Sequence, residues 1–270
     1  MTPILDTIVE KKREEIAARR SECPASELEA RLVDAPPARG FVDAIRATAD
    51  VALIAEIKKA SPSAGVIRED FDAVQLARTY HQAGATCLSC LTDELFFQGR
   101  LEYLSAIREQ VDCPVLRKDF VLDQYQLLES RVAGADAVLL IAECLDEREL
   151  PDLYRAATQM GLDVVLEIYE PSNLERALDL EPPLLGVNNR DLRTFDTDLG
   201  HTLRVGATVP GTTMLVAERG IATREDVEYL AGGGVAAILV GATLMRAGSV
   251  AEQTSELVGE PRRCAPVRTG

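Results

Sequence analysis

The 270-residue sequence predicts an α/β protein: a single (β/α)8 (TIM) barrel with an N-terminal helical extension. Three observations predict it. Eight short apolar runs (51–57, 85–91, 114–117, 136–141, 163–168, 184–188, 213–217 and 236–240) are rich in Val, Ile and Leu, as parallel strands covered on both faces are. Four of them follow a helix-like stretch that ends in glycine: "QAGATCLSCL", "VAGADAVLLIA", "QMGLDVVLEI" and "GGGVAAILVG". Glycine stops helices because it takes a left-handed backbone without a Cβ clash. Lys58 and Gly241, just past the first and last runs, stand 183 residues apart. Over seven intervals that is about 26 residues per unit, enough for one strand, one helix and two loops. An open doubly wound sheet would also alternate strands and helices, but no G-x-G-x-x-G follows the first run.

Residues 1–50 stand outside the repeat. Ile4–Arg20 and Ser26–Leu32 carry amphipathic helical patterns, Pro36-Pro37 interrupts them, and Phe41–Ala47 reads as a third short helix. The expectation is an extension capping the barrel mouth, a catalytic barrel over 51–255 and a flexible tail over 256–270.

The first run sits in "VALIAEIKKASPSAG", where Glu56 and Lys58 interrupt an otherwise apolar strand and Ser61 follows. Residues two apart share a strand face, so the two charges point the same way. The second run holds a lone Cys87-Leu-Ser-Cys90; with only two histidines in the chain, these cysteines read as core and no metal site is expected. The third run ends in Arg117-Lys118-Asp119-Phe120, the fifth carries Glu167, and the sixth ends in Asn188-Asn189-Arg190. The seventh ends in Glu218-Arg219-Gly220 and the eighth runs into Gly241-Ala242.

Barrels of this kind place their chemistry at the carboxyl ends of the strands. One charge there reads as a solvated rim residue. Two lysines and three glutamates converging on one mouth read as an acid/base site, because such groups shift each other's proton affinity in a partly dry cavity. Gly220 and Gly241, each before a helix start, suit phosphate held by backbone amides, with Lys58 beside them; the alternative is that they only make tight turns.

A net charge of −15 argues against nucleic acid as a partner. No apolar run reaches the roughly 18 residues of a membrane span. Six scattered cysteines and a charged N-terminal stretch fit a reducing, cytoplasmic compartment. A phosphorylated small molecule is the expected partner, and a monomer the expected state.

The motifs "IAEIKKASPSAG", "LTDELFFQG", "VLRKDF", "VVLEIYE", "LLGVNNRDL", "VAERGI" and "ILVGATLM" resemble, in order and spacing, those of the indole-3-glycerol-phosphate synthase family of tryptophan biosynthesis. The resemblance runs from about residue 41 to 250. It implies a carbon–carbon lyase that closes the pyrrole ring of 1-(2-carboxyphenylamino)-1-deoxyribulose 5-phosphate, releasing carbon dioxide and water, with no metal or organic cofactor. No second barrel follows, so a monofunctional enzyme is expected. By motif, Lys118 resembles the acid at the substrate ketone, and Glu167 its partner, stabilising the cationic ring. Lys58 and Glu56 resemble the acid and base of the dehydration, although the division between the two lysines stays open. Asn188, also among the catalytic set, would join Arg190, Ser61 and Glu218 in holding hydroxyls and carboxylate. Phe97, Phe120, Leu139 and Leu192 would wall the aromatic ring, or equally be plain core. Lys58, Arg219, Gly220, Gly241 and Ala242 would take the phosphate.

Two positions depart from the family pattern. Glu-Ser-Gly is usual where this chain has Glu218-Arg219-Gly220, and Gly-Ser or Gly-Glu where it has Gly241-Ala242. Two rival readings are a Schiff-base aldolase-like barrel using Lys118 or Lys58, and a non-catalytic barrel that binds phosphometabolites.

Overall fold

The computed structural model describes residues 3–191, 194 and 196–263. Its strands are β1 (Ala52–Ile57), β2 (Cys87–Leu91), β3 (Val115–Lys118), β4 (Ala137–Ile141), β5 (Asp163–Ile168), β6 (Leu184–Asn188), β7 (Met214–Glu218) and β8 (Ala237–Val240). All pair in parallel, each with the next, and β8 closes onto β1. Each begins and ends within two residues of its apolar run. The helices are α1 (Pro3–Glu22), α2 (Ala25–Arg31), α3 (Phe41–Ala47), α4 (Ala73–Gln82), α5 (Glu94–Phe97), α6 (Glu102–Arg108), α7 (Gln124–Val132), α8 (Glu149–Gln159), α9 (Leu174–Leu178), α10 (Gly200–Gly206), α11 (Arg224–Gly232), α12 (Ala242–Arg246) and α13 (Val250–Leu257).

Local chemistry fixes many of the helix ends. Asp72 caps α4 by accepting from the N–H groups of Val74 and Gln75, while Asp123 and Thr223 form capping boxes on α7 and α11. The recurring glycines of the sequence are Gly84, Gly134, Gly161 and Gly234, all at positive φ between 73° and 97°, where a side chain would be strained.

Strand alternation splits the apolar residues in two. Leu53, Ala55 and Ile57 face the surrounding helices, and Ile54 faces inward with Leu116, Leu139, Val165, Val216 and Leu239. Cys87 belongs to the inner set and Cys90 to the outer. Three residues apart on a strand, they point to opposite faces.

The inner set is sealed from below by Phe41, Val42 and Ile45 of α3, each worth roughly 1.5–3 kcal/mol when buried. Val42 N–H donates to Asp163 Oδ2 at 2.9 Å and Arg39 N–H to Asp136 Oδ1 at 2.8 Å, which pins this plug to the amino ends of β5 and β4. α1 lies at the other end, where Ile4, Leu5 and Ile8 line the mouth cavity. The extension therefore covers both ends of the barrel, not the mouth alone.

Two local features differ from the sequence expectation. The loop after β1 folds into a small ribbon, Ala60–Ser61 pairing antiparallel with Gly65–Val66. Residues 256–263 are also packed rather than free: α13 runs to Leu257, Val51 N–H donates to Glu260 O at 2.7 Å, and Arg262 N–H donates to Ala49 O at 3.0 Å. Among the described residues, no helix is long and apolar enough to cross a membrane.

Candidate active site

Glu56 and Lys58 leave the carboxyl end of β1 on its inner face, both buried, and the Lys58 ammonium pairs with Glu56 Oε2. The pair lies over β8, and glycine makes that possible: a Cβ at Gly241 would collide with the Glu56 carboxylate and come within 3.0 Å of Lys58 Nζ. Burial holds the Lys58 ammonium below the ordinary lysine value, aided by the Arg219 and Lys118 cations and opposed by Glu56. Burial works against ionised Glu56, but Lys58 and Lys118 outweigh it and keep the carboxyl below its usual range.

Across the mouth, Lys118 Nζ stands 3.1 Å from Glu167 Oε2 and 3.2 Å from Glu218 Oε2. Burial alone would favour a neutral amine; Glu167, Glu218 and Glu56 override it and raise the Lys118 value, so this lysine stays cationic. The two lysines thus sit in opposite electrostatic settings. Burial together with the Glu167 carboxylate pushes Glu218 up to about 8, so Glu218 holds its proton at neutral pH beside an ionised Glu167.

The three polar residues ending β6 divide by alternation. Asn188 points inward and donates to Glu167 Oε1 at 3.0 Å. Asn189 points outward; its Oδ1 accepts from Thr202 Oγ1 at 2.7 Å, and its Nδ2 donates to Arg219 O at 3.3 Å. Arg190 N–H donates to Asn188 Oδ1 at 3.0 Å, which fixes the asparagine that fixes Glu167.

Two lobes meet at these charges. One is an apolar cavity of about 280 Å³, walled by Phe97, Phe120, Leu139 and Tyr169 and roofed by Ile4, Leu5 and Ile8. The Phe97 and Phe120 rings are tilted, with centroids 6.2 Å apart. The other is a polar cleft over β7 and β8, lined by Lys58, Ser63, Arg219, Gly220, Gly241, Ala242 and Arg246. Ser61 lines both lobes from the ribbon after β1, and Arg190 lines both from the end of β6.

Arg219 also lies in both lobes. Its backbone is left-handed, φ 69°, followed by Gly220 at φ 81°; for a residue with a Cβ that conformation costs about 1–2 kcal/mol. The Asn189 contact to its carbonyl helps to hold it there. The guanidinium acts electrostatically on Glu56, Lys58, Lys118 and Glu167, so the side chain is turned into the mouth. Its acidic neighbour Asp226 is engaged elsewhere, accepting from the N–H groups of Ala222 and Thr223 at 2.8 and 3.0 Å. Burial, then Arg219 and Arg246, depress the Arg190 value. This crowding of like charge favours an anionic ligand.

The sequence-predicted residues therefore converge on one mouth, except Leu192, which lies outside the described residues. Sequence reasoning missed Ile4, Leu5 and Ile8, although Ile4 and Ile8 have the i, i+4 spacing of one helix face. It missed Arg246, one turn after Ala242 on α12, although the same spacing was available. It also missed Gly186, for which the sequence holds no local signal: a Cβ there would stand 2.5 Å from Glu218 Oε1.

Comparison with known proteins bears on this geometry. A family model described as indole-3-glycerol phosphate synthase matches residues 5–257. A protein of that name from Rhodopirellula baltica is 51% identical over 255 residues, covering 94% of this chain and 98% of its own. Among solved structures, a tryptophan synthase α-subunit mutant from Pyrococcus furiosus aligns with a TM-score of 0.60 at 13% identity, over 77% of this chain and 98% of that one. 3-Hexulose-6-phosphate synthase from Salmonella typhimurium gives 0.59 at 16% identity, over 77% and 96%. At such identities these two likenesses speak for the barrel fold alone.

Proposed function

The chain belongs to the indole-3-glycerol phosphate synthase family, and from that premise we propose how the residues at its mouth divide the reaction. The enzyme is a decarboxylating, dehydrating lyase: it closes the ring of 1-(2-carboxyphenylamino)-1-deoxyribulose 5-phosphate to indole-3-glycerol phosphate.

The observation that carries the proposal is the placing of Lys118 between Glu167 and Glu218 where the apolar lobe meets the cationic one. The anthranilate ring occupies the apolar lobe against Phe97, Phe120 and Leu139, under α1. The phosphate occupies the polar cleft, on the amides of Gly220, Gly241 and Ala242, with Lys58, Arg219 and Arg246 supplying charge. The ketone carbon between them then faces Lys118.

Lys118, held cationic, donates a proton to the ketone oxygen as the aromatic carbon attacks, so a C–C bond forms and the carbonyl becomes a hydroxyl. The positive charge left on the ring system faces ionised Glu167, which Asn188 and Lys118 hold in place. Loss of carbon dioxide returns an electron pair to the ring. Lys58, whose proton is held less tightly, then protonates the departing hydroxyl, and Glu56 takes the proton whose loss completes the pyrrole. Arg190 and Ser61 orient the carboxylate and hydroxyls, with Glu218 in support. Among the described residues, Cys23, Cys87, Cys90, Cys113 and Cys144 are free thiols, which fits a reducing cytoplasm.

The test is direct. The purified chain, given the synthetic substrate, should release a product with indole fluorescence and should resist inactivation by borohydride. No fluorescent product, or a borohydride-trapped adduct on Lys118 or Lys58, would overturn the assignment.

A further inference from the structure

Lys12 of α1 is 1% exposed, and lysines go that deep only when paired. Its ammonium meets Glu15 Oε2 at 2.8 Å, Asp93 Oδ2 at 2.8 Å and Asp119 Oδ1 at 2.9 Å. It lines neither lobe of the site. What it holds does bear on the site, from two directions.

Asp119 directly follows Lys118. It is also gripped by Thr92 Oγ1, which donates at 2.6 Å, and by Arg117, which donates at 3.1 Å. Thr92 N–H in turn donates to Lys118 O at 3.2 Å, so the backbone under the catalytic lysine is tied into the same cluster. Asp93 is the N-cap of α5: its Oδ1 accepts from the N–H groups of Phe96 at 2.7 Å and Phe97 at 3.2 Å, which sets the ring of Phe97 against the apolar lobe. Its other oxygen has no further side-chain or backbone donor among the described residues beyond the Lys12 ion pair. One ammonium therefore joins the roof helix, the residue beside Lys118 and the cap of the Phe97 turn.

We infer that Lys12 is a positioning residue for ring closure, fixing Lys118 through Asp119 and the aromatic wall through Asp93 while it seats the helix that carries Ile4, Leu5 and Ile8. This rests on the reading of Lys118 as the acid. Without the ammonium, Asp93 loses its paired cation, and Asp119 keeps Arg117 as its one cation beside the Thr92 hydroxyl and the Phe120 N–H. Two buried carboxylates would then repel each other, and the groups around them would shift to admit water. The phosphate seat on Gly220, Gly241 and Ala242 should be spared, because β7 lies across the barrel from β3, although Lys118 also lines that cleft.

The test compares Lys12→Met, Lys12→Arg and Lys118→Met by steady-state kinetics, well below their melting temperatures, with inorganic phosphate as a competitive inhibitor. Misplacing a reacting group by about 1 Å can cost ~100-fold, so Lys12→Met should lose roughly 10- to 100-fold in kcat. Its inhibition constant for phosphate should stay close to wild type, and Lys12→Arg, which keeps the charge, should recover most of the loss. A kcat near wild type in Lys12→Met, or a phosphate constant that worsens as much as kcat, overturns the inference. If Lys12→Met does not fold, Lys12→Met/Asp93→Asn takes its place, with one buried charge of each sign removed. That double variant should remain slow, and wild-type kcat in it overturns the inference. Lys118→Met separates the two readings: if it stays active, the assignment of Lys118 has failed. If Lys118→Met is inactive while Lys12→Met is normal, only the role of Lys12 has failed.

Discussion

Glu218 Oε1 occupies the space that a side chain at residue 186 would need; a Cβ on Gly186 would stand 2.5 Å from it. The two residues lie on neighbouring strands, β6 and β7, two positions out of register: Gly186 pairs with Val216 and Asn188 with Glu218, so the glutamate reaches diagonally over the glycine. A missing side chain on one strand is what lets the other carry a glutamate inward. Gly186→Ala should push Glu218 toward Lys118 and disturb its balance between Glu167 and Glu218. Overpacking of this kind costs roughly 1–3 kcal/mol. We expect a lower melting temperature together with a reduced kcat, read by calorimetry and steady-state assay. A stability loss with unchanged kcat would show that the seat of Glu218 does not matter to the chemistry.

The proton on Glu218 gives a pH signature. The group is raised to about 8 by burial and by Glu167, so it is neutral below that pH and becomes a second carboxylate above it. Two adjacent carboxylates then hold the Lys118 proton more tightly and repel an anionic substrate. kcat/KM should fall as pH rises through about 8. Glu218→Gln mimics the protonated form and cannot lose a proton, so its profile should lack that limb. An alkaline limb that survives unaltered in Glu218→Gln assigns it to another group.

The opposite settings of the two lysines predict different failures. Lys118→Met should abolish ring closure while the chain stays folded, with a loss of roughly 10²–10⁴-fold or more, the contribution of a general acid. Lys58→Met should still close the ring but stall before dehydration, which rapid-quench analysis would show as an accumulating non-fluorescent intermediate. More than a tenth of wild-type kcat in Lys118→Met, or no intermediate in Lys58→Met, would reassign the steps.

Arg219→Ser restores the residue usual in the family at this position. Its charge is partly screened by water, so its contact with the phosphate should be worth about as much as an exposed ion pair, 0.2–1 kcal/mol, or a KM increase of up to about fivefold. The rise should shrink at high salt, with kcat nearly unchanged. Equal KM values for variant and wild type at both salt concentrations would make the arginine a bystander to the phosphate.

How far the sequence reached follows from the range of each signal. Strands and helix stops are local, so eight apolar runs became eight strands, and the glycines after the helices took the expected left-handed backbone. Glu56, Lys58, Lys118, Glu167 and Asn188 were legible because strand ends in a barrel point at one place. Gly186 and Gly241 were not legible as empty space. Their roles depend on which side chain lies on the adjacent strand, Glu218 or Glu56, and that register is set only when the barrel closes. Gly241 shows the difference well: it reads as a phosphate turn in sequence, yet the fold also requires its bareness for Glu56 and Lys58. Arg246 and the roof residues of α1 escaped because no strand end marks them. The packing of residues 256–263 escaped because Glu260 and Arg262 meet Val51 and Ala49, more than 200 positions earlier.

The floor plug has a consequence for how the chain is made. Phe41, Val42 and Ile45 leave the ribosome early, but Asp163, which receives Val42, comes 121 residues later. At about 5–20 residues per second, that is a wait of roughly 6 to 24 seconds. Throughout it three large apolar side chains have no barrel to enter, and the extension can reach neither end of its eventual host. Glu260, the partner of Val51 just before β1, arrives later still. The nascent protein thus carries its stopper without a seat at least until β5 begins, and a pause in translation before residue 163 would hold that surface open to chaperones and to aggregation alike.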